Sequence, residues 1–366
     1  MKPFQSERAK RAQGLSLIEL MISIALGMVI VGALLALFLN VTRTNNEMAK
    51  MNRQIENGRF AIQLLQGDLV HAGFWGDFIP QFEDRGVAVP DDVPTAIPAP
   101  CKEPATWNAV DRNNLIGIPV QADAEGCAVV ASQAPGTDVL VVRHAEPTVG
   151  SAACGAGDVC FQASQCGLEI TDTPPQKYVL GTTGHTLHKK DCEGTGSPAV
   201  MPIKPGSDTA LMRKFISNIY YVRDDFTLMR SEFSNGAHLA AQPLIDGIEG
   251  FRVEYGIDNV GKDGEAVSYT GAVNRGDGVP DTYVSCAPCT FDQLTNVVTV
   301  RIHVLARSPE ATPGYSDTKT YAMGSAAPIC STAGSCSNKV LNPSFKRHVF
   351  TTTVRLVNPA GRRETP

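Results

Sequence analysis

Five carboxylates crowd one stretch of the chain: Asp258, Asp263, Glu265, Asp277 and Asp281, with glycines between them. Carboxylates spaced by flexible glycine turns are hard-cation chemistry, and Asp258, Asp263, Asp277 and Asp281 are the candidate ligands for a calcium ion. Their spacing departs from the EF-hand loop, and a solvated acidic loop of Asp-Gly turns accounts for the same residues without a metal. Just beyond, Cys286-Ala287-Pro288-Cys289 is a C-x-x-C motif. Redox work would need a thiolate-stabilising helix N-terminus in a thioredoxin-like setting; the flanking residues read instead as a clasp beside a strand. Cys286, Cys289, Cys330 and Cys336 have the ligand types of a four-cysteine zinc site. Their close spacing also suits two local disulfides, Cys286–Cys289 and Cys330–Cys336, with Cys101–Cys127 a longer one. His185, His188, Asp191 and Cys192 sit together in a Gly/Thr-rich loop with no periodic scaffold. The chain has no G-x-S-x-G, H-E-x-x-H, P-loop or dinucleotide fingerprint. It therefore nominates no catalytic residue and no cofactor other than calcium.

A further carboxylate stands where carboxylates are costly. Leu20 to Leu39 is free of charge and interrupted only by Ser23, Gly27 and Gly32, long enough as a helix to cross a bilayer core. Glu19 lies at the start of this apolar segment, where an ionised side chain costs several kcal/mol unless it is paired or protonated. A secretory signal has a shorter apolar core and a small-residue cleavage site behind it. Here Asn40-Val41-Thr42-Arg43 follows, and the small boundary residue, Gly14, comes before the core. An ordinary anchor explains the length but neither Gly14 nor Glu19. The leader 1–14 carries Lys2, Arg8, Lys10 and Arg11 against Glu7, a net +3 that belongs on the cytoplasmic side. Removing it from the whole-chain −5 leaves −8, an acidic balance that argues against bulk nucleic-acid binding. All ten cysteines lie after residue 100, which reads as up to five disulfides in an oxidising compartment.

A short basic leader, Gly14, an apolar residue, then Ser16-Leu17-Ile18-Glu19-Leu20 resembles the N-terminus of type IV pilins and pseudopilins, the class III signal. The resemblance implies cleavage after Gly14 by a prepilin peptidase and methylation of the new amine on Leu15. It also implies that Glu19, fifth in the mature chain, aligns each subunit with the N-terminal amine of its neighbour. Leu15 and Ser16 depart from the commoner Phe and Thr.

Beyond the membrane the helix continues. Apolar residues recur at Val41, Met48, Ile55, Ile62 and Leu69, and apolar or small ones at Thr44, Met51, Gly58, Leu65 and Ala72, a heptad stripe. A two-stranded coiled coil would use such a stripe. So would one long helix, from Leu15 to about Trp75 and roughly 90 Å long, whose membrane half is 15–39 and whose periplasmic half, 40–76, lies on its own globular domain. The stretch 80–205 is rich in Pro, Gly and Cys and reads as a surface insertion held by crosslinks, with strands at 138–143 and 177–180. Strand signals then sharpen across 206–360: a hairpin of 219–223 and 227–230, then 251–255, 298–304 and 348–357. Residues 361–366 read as a frayed tail. Antiparallel strands with one apolar face need a cover, and the helix supplies it: an α+β chain with the type IV pilin fold.

Gln54-Ile55-Glu56-Asn57-Gly58-Arg59-Phe60-Ala61, with Asp68-Leu69-Val70-His71-Ala72-Gly73-Phe74-Trp75-Gly76, resembles PilW-type minor pilins, as do Tyr255-Gly256-Ile257-Asp258 and Asp277-Gly278-Val279-Pro280-Asp281. Gly73 and Gly76 also suit left-handed helix caps. The resemblance implies a non-enzymatic subunit that sits in the inner membrane as a single pass, N-in and C-out, and later on the surface pilus. It implies a role in priming type IV pilus assembly and capping the tip, supporting adhesion and twitching motility. Other minor pilins and the major pilin would meet it through the N-terminal helix, and a large tip adhesin would be a further partner. A minor pseudopilin of a type II secretion system and an anchored periplasmic enzyme or metal protein are the alternative readings.

Overall fold

The computed structural model describes residues 14, 16–124, 126–148, 154–172, 175–192, 203, 206–270, 274–286, 289–330 and 341–364. Two compact units divide it, 1–52 and 53–366. The first holds most of helix α1 (Leu17–Leu69). Its apolar stretch is exposed on every face, and this is a helix long and apolar enough to cross a membrane.

The second unit is α+β. After the end of α1 come helix α2 (Ala109–Gly117), strands β1 (Val120–Gln121), β2 (Leu140–Ala145) and β3 (Cys160–Ala163), helix α3 (Gly167–Thr171) and strand β4 (Tyr178–Gly181). A run of strands follows: β5 (Met212–Val222), β6 (Thr227–Ser234), β7 (Ala237–His238), β8 (Gln242–Asp246), β9 (Ile248–Ile257) and β10 (Thr282–Ser285). Helix α4 (Phe291–Thr295) leads into β11 (Val297–Arg307), β12 (Thr320–Tyr321), β13 (Ile329–Cys330), β14 (Arg347–Arg355) and helix α5 (Val357–Glu364). An eight-stranded sheet runs β1-β2-β5-β3-β4, with β6 branching from β5 and β7 and β8 pairing with β6; a four-stranded sheet runs β10-β9-β11-β14. The strand pairings are antiparallel, as the β-branched alternation of these strands requires of hairpin-linked neighbours.

The C-terminal part of α1 packs into one apolar cluster with both sheets. Ala61, Leu65, Leu69 and Ala72 meet Leu140, Val142 and Tyr220 of the larger sheet, and Phe251, Val300, Ile302 and Val354 of the smaller. The buried residues of α1 are Gln54, Gly58, Ala61, Leu65 and Leu69, and from residue 55 on the expected stripe faces inward: Gly58, Leu65, Leu69 and Ala72 are buried, Ile55 and Ile62 half-buried. Val41, Met48 and Met51, three members of that heptad stripe, are exposed. All three precede residue 53, where the unit that contains the sheets begins. Gln54 spends its burial on a bond from Nε2 to the Ala306 carbonyl (2.9 Å), and Asn57 Nδ2 donates to the Asp246 carbonyl (2.9 Å). Between them Gly58 receives the ring of Phe350: a Cβ there would stand 2.2 Å from Phe350 Cε2.

Three expectations differ from what is observed. The stretch 80–205 is no exposed attachment, because β2 is buried along its length and hydrogen-bonds to Phe215–Tyr220 of β5. The larger sheet therefore draws on both sides of residue 205, since Leu140, Val141 and Val142 supply apolar surface that the Pro/Gly-rich flanks lack. The second face of the smaller sheet is covered too: the segment after β11 sets Tyr321, Met323 and Ile329 against Leu305, and Ser325 N–H donates to Glu254 (2.8 Å). The chain end is helical to Glu364, with Arg363 buried rather than frayed.

The close approach at Gly58 makes a directional prediction. Gly58→Ala should destabilise the protein by about 1–3 kcal/mol through overpacking against Phe350. Gly67→Ala, on the same helix with nothing within 4 Å of its Cβ position, should be neutral or stabilise by up to about 1 kcal/mol. Thermal unfolding of both variants in detergent checks this; equal shifts of the same sign would remove the steric argument.

Candidate functional site

The helix start is built by its own sequence. Ser16 and Glu19 form a reciprocal cap: Ser16 N–H donates to Glu19 Oε2 (2.9 Å), and Glu19 N–H donates to Ser16 Oγ (3.3 Å). This satisfies two otherwise orphan amides at the positive end of the helix dipole. Ser23 Oγ closes the next turn on the Glu19 carbonyl (2.7 Å). Glu19 Oε1 has no protein partner among the described residues. Gly14 is exposed with open space around it, a backbone that a protease could engage; Leu15 lies outside the described residues.

At the other end of α1, one carboxylate ties the helix to the larger sheet. Asp68 accepts from His144 Nε2 (3.0 Å), Asn218 Nδ2 (3.0 Å) and Tyr220 OH (3.0 Å). His144 Nδ1 faces the Ala145 carbonyl (2.9 Å). Both ring nitrogens thus meet acceptors, the arrangement of an imidazolium. Burial alone would lower the His144 pKa, but the Asp68 hydrogen bond and charge outweigh it and hold it above the usual histidine value. Gly73 (φ +70°) and Gly76 (φ +65°) then turn the chain in the left-handed region. Gly73 N–H donates to the Arg143 carbonyl (3.0 Å). Trp75 is buried between Phe161 and Phe215 and donates to the Ile116 carbonyl (3.2 Å).

The four aspartates of the acidic loop do not converge. Asp258 is fully buried and accepts from Gly278 N–H (2.8 Å), with Arg363 Nη1 at 3.5 Å from its Oδ2. Burial raises its pKa, and Arg363 offsets part of that. Asp281 Oδ2 takes the N–H groups of Asn259 (2.7 Å) and Val260 (2.9 Å), and Asp277 Oδ1 takes that of Val279 (3.0 Å). Asp263 caps its own turn at Glu265 N–H (3.5 Å). Among the described residues no group of three His, Cys, Asp or Glu side chains could hold a metal. The donor set does not fit calcium: the carboxylates turn to backbone amides, and a guanidinium already stands at Asp258.

The thiols are spent as well. Disulfides join Cys101 to Cys127, Cys154 to Cys160, Cys166 to Cys192 and Cys286 to Cys289. Cys330 is also disulfide-bonded, while Cys336 lies outside the described residues. No thiolate is left for a zinc site at Cys286, Cys289 and Cys330. His188 instead pairs with the buried Glu169 (2.7 Å), and His185 meets the Cys160 carbonyl (3.1 Å). Sequence reasoning passed over Asp68, His144, Arg362 and Arg363. The first had a signal: a carboxylate beside Leu69, at the edge of the buried stripe, needs partners from the facing sheet.

Residues 9–35 match the family model of the prokaryotic N-terminal methylation motif. Residues 219–358 match that of the type IV pilus-assembly protein W. No curated protein and no solved structure matches the chain. The methylation motif, a helix long and apolar enough to cross a membrane, and the helix-on-sheet core give the chain a pilin-like architecture. Within that class, residues 219–358 are similar to the type IV pilus-assembly protein W family, a match over less than half of the chain. The second match contains both Tyr255–Asp258 and Asp277–Asp281. The 54–76 block falls outside both matches.

The Asp68–His144 pair sets a pH dependence. Because the folded pKa of His144 is raised, its contribution is complete below about 6.5, the unfolded value, and is lost as pH rises through the folded value. His144→Gln should lower stability by about 1.5–3 kcal/mol at acidic pH. The gap to the unsubstituted protein should narrow as pH rises. Unfolding midpoints in detergent from about pH 5.5 to about pH 9 read this; a constant gap would show that the charge contributes nothing.

Proposed function

We propose that this chain is a minor pilin that helps prime type IV pilus assembly and sits in the tip complex, supporting adhesion and twitching motility. The observation that carries the reading is the pairing of a class III signal with a PilW-like sheet region in one chain. Prepilin peptidase cuts after Gly14 and the new Leu15 amine is methylated. The protein waits in the inner membrane with its leader inside and its disulfide-bonded domain outside. It then joins other minor pilins and the major pilin through α1, and a large adhesin is a partner at the tip.

Glu19 sets register in this reading. Its Oε2 is held by the Ser16 amide, which fixes the carboxylate's direction, and Oε1 is left for a neighbour's terminal amine. In an apolar surround a mis-staggered subunit leaves both charges unpaired, which costs about 3–5 kcal/mol. The cap therefore aims the side chain, and the charge selects the stagger. The PilW match favours the pilus over a type II secretion pseudopilin.

Two sets of variants test this. Gly14→Val should leave the leader in place, and intact-mass measurement finding the mature chain still starting at Leu15 would refute the cleavage assignment. Glu19→Gln keeps the capping bond but removes the charge. It should keep the protein in the membrane while lowering its amount in sheared pili by at least about tenfold. Incorporation of Glu19→Gln at the unsubstituted level would reduce Glu19 to a helix cap.

A further inference from the structure

A cleft of about 340 Å³ opens within residues 91–178, at the lower end of the range for small-ligand pockets, about 300–1,000 Å³. It lies wholly outside the two segments that match family models. Three parts of the chain wall it: Asp91 and Asp92 from the loop before α2, Arg112 and Asn113 from α2, and Lys177 and Tyr178 at β4.

These side chains are fixed in advance. Asp92, 6% exposed, accepts the amides of Gln81 (2.6 Å) and Phe82 (2.9 Å). Lys177 Nζ donates to both oxygens of Asp91 (2.7 and 2.8 Å). Tyr178 OH donates to Asn113 Oδ1 (2.5 Å), and its ring is backed by Phe161 and Phe78. Arg112 is anchored through Nε to the Leu180 carbonyl (2.9 Å). Among the described residues, the terminal nitrogens of Arg112 and the amide nitrogen of Asn113 have no protein partner. Carboxylate lone pairs on Asp91 and Asp92 also remain. Such preorganisation lowers the entropy cost of binding.

The balance of groups selects the ligand class. Two carboxylates face two cations, so the lining is neutral. A simple anion would meet Asp91 and Asp92, and a simple cation would meet Arg112 and Lys177; each would be repelled by half of the wall. A neutral ring with donors and acceptors around its edge and C–H groups on its face meets no such conflict. We propose that this cleft binds a neutral saccharide unit. Its hydroxyls donate to Asp91 and Asp92 and accept from Arg112 and Asn113, and its C–H face lies towards Tyr178. The proposal goes beyond assembly: it gives the subunit a surface that recognises a sugar, whichever machine the helix joins.

The test is saturation-transfer NMR on the full chain in an amine-oxide detergent, which carries no sugar head group. The probes are D-glucose, D-galactose, D-mannose and N-acetylglucosamine, with glycine betaine and inorganic phosphate beside them. At least one sugar should receive magnetisation, and neither betaine nor phosphate should displace it. Asp91→Asn removes an acceptor charge at an exposed position and Arg112→Gln removes the free guanidinium. Each should weaken the signal by about tenfold with an unchanged unfolding midpoint. Absence of transfer to all four sugars overturns the proposal. Displacement by betaine, which would make this a zwitterion site, overturns it too, as does transfer that survives in both folded variants.

Discussion

A missing methyl group decides how this domain is built. At Gly58 the helix backbone comes so near to Phe350 that no side chain fits between them. That contact brings the helix down onto β14, and the neighbouring positions use the proximity. Gln54 reaches the Ala306 carbonyl and Asn57 reaches that of Asp246, bonds available only where helix and strands nearly touch. One turn further on, Ala61 and Leu65 enter the cluster shared by both sheets. Hydrophobic burial supplies most of the driving force here, but it is not directional. The glycine and the two amides fix which helical face turns inward. The residues resembling a family signature are thus also the residues that make the packing.

The sequence made the strong elements legible for physical reasons. The hairpin around Asp224-Asp225-Phe226, the strand at 298–304 and the β-branched run at 348–357 appear where alternation and turn residues placed them. What escaped was pairing at long range. Leu140–Ala145 looked like an isolated strand in a Pro/Gly-rich stretch, yet its partner is more than seventy residues on, at Phe215–Tyr220. Periodicity reports which face of a strand is apolar and says nothing of which strand lies beside it. The helix stripe was legible over 55–72, where its members turn inward.

Charged residues were the least legible, because their roles depend on partners far along the chain. Asp258 and its acidic neighbours read as a cation loop on spacing alone. The cation that reaches Asp258 is Arg363, from a segment that looked like a loose tail. Its other donors hold the Thr295 carbonyl and Asn296 Oδ1 (both 3.0 Å), so the last helix bolts the loop to α4. Arg362 does the same at the end of α1, bonding to Glu83 (2.5 Å) and to the Gly73 carbonyl (3.2 Å). Each such pair costs desolvation and returns a specific geometry. Two adjacent arginines near a C-terminus carry no local signal of that use.

The same rule bears on assembly. Buried carboxylates in the folded domain each find a donor within the chain: Asp68 has His144, Glu83 has Arg362, Glu249 and Asp317 share Arg347, and Glu254 has His303. None relies on solvent. Glu19 differs: its described bond to the protein is the amide of Ser16, three residues back in its own cap. That amide carries no formal charge, and the next residues of the helix offer only apolar side chains and Ser23. In water such a carboxylate needs nothing more. In lipid it does, and no basic side chain follows along the helix until Arg43, nearly seven turns away. In lipid such a carboxylate has to be either protonated or paired with a cation, and that requirement is what the proposed register role of Glu19 rests on.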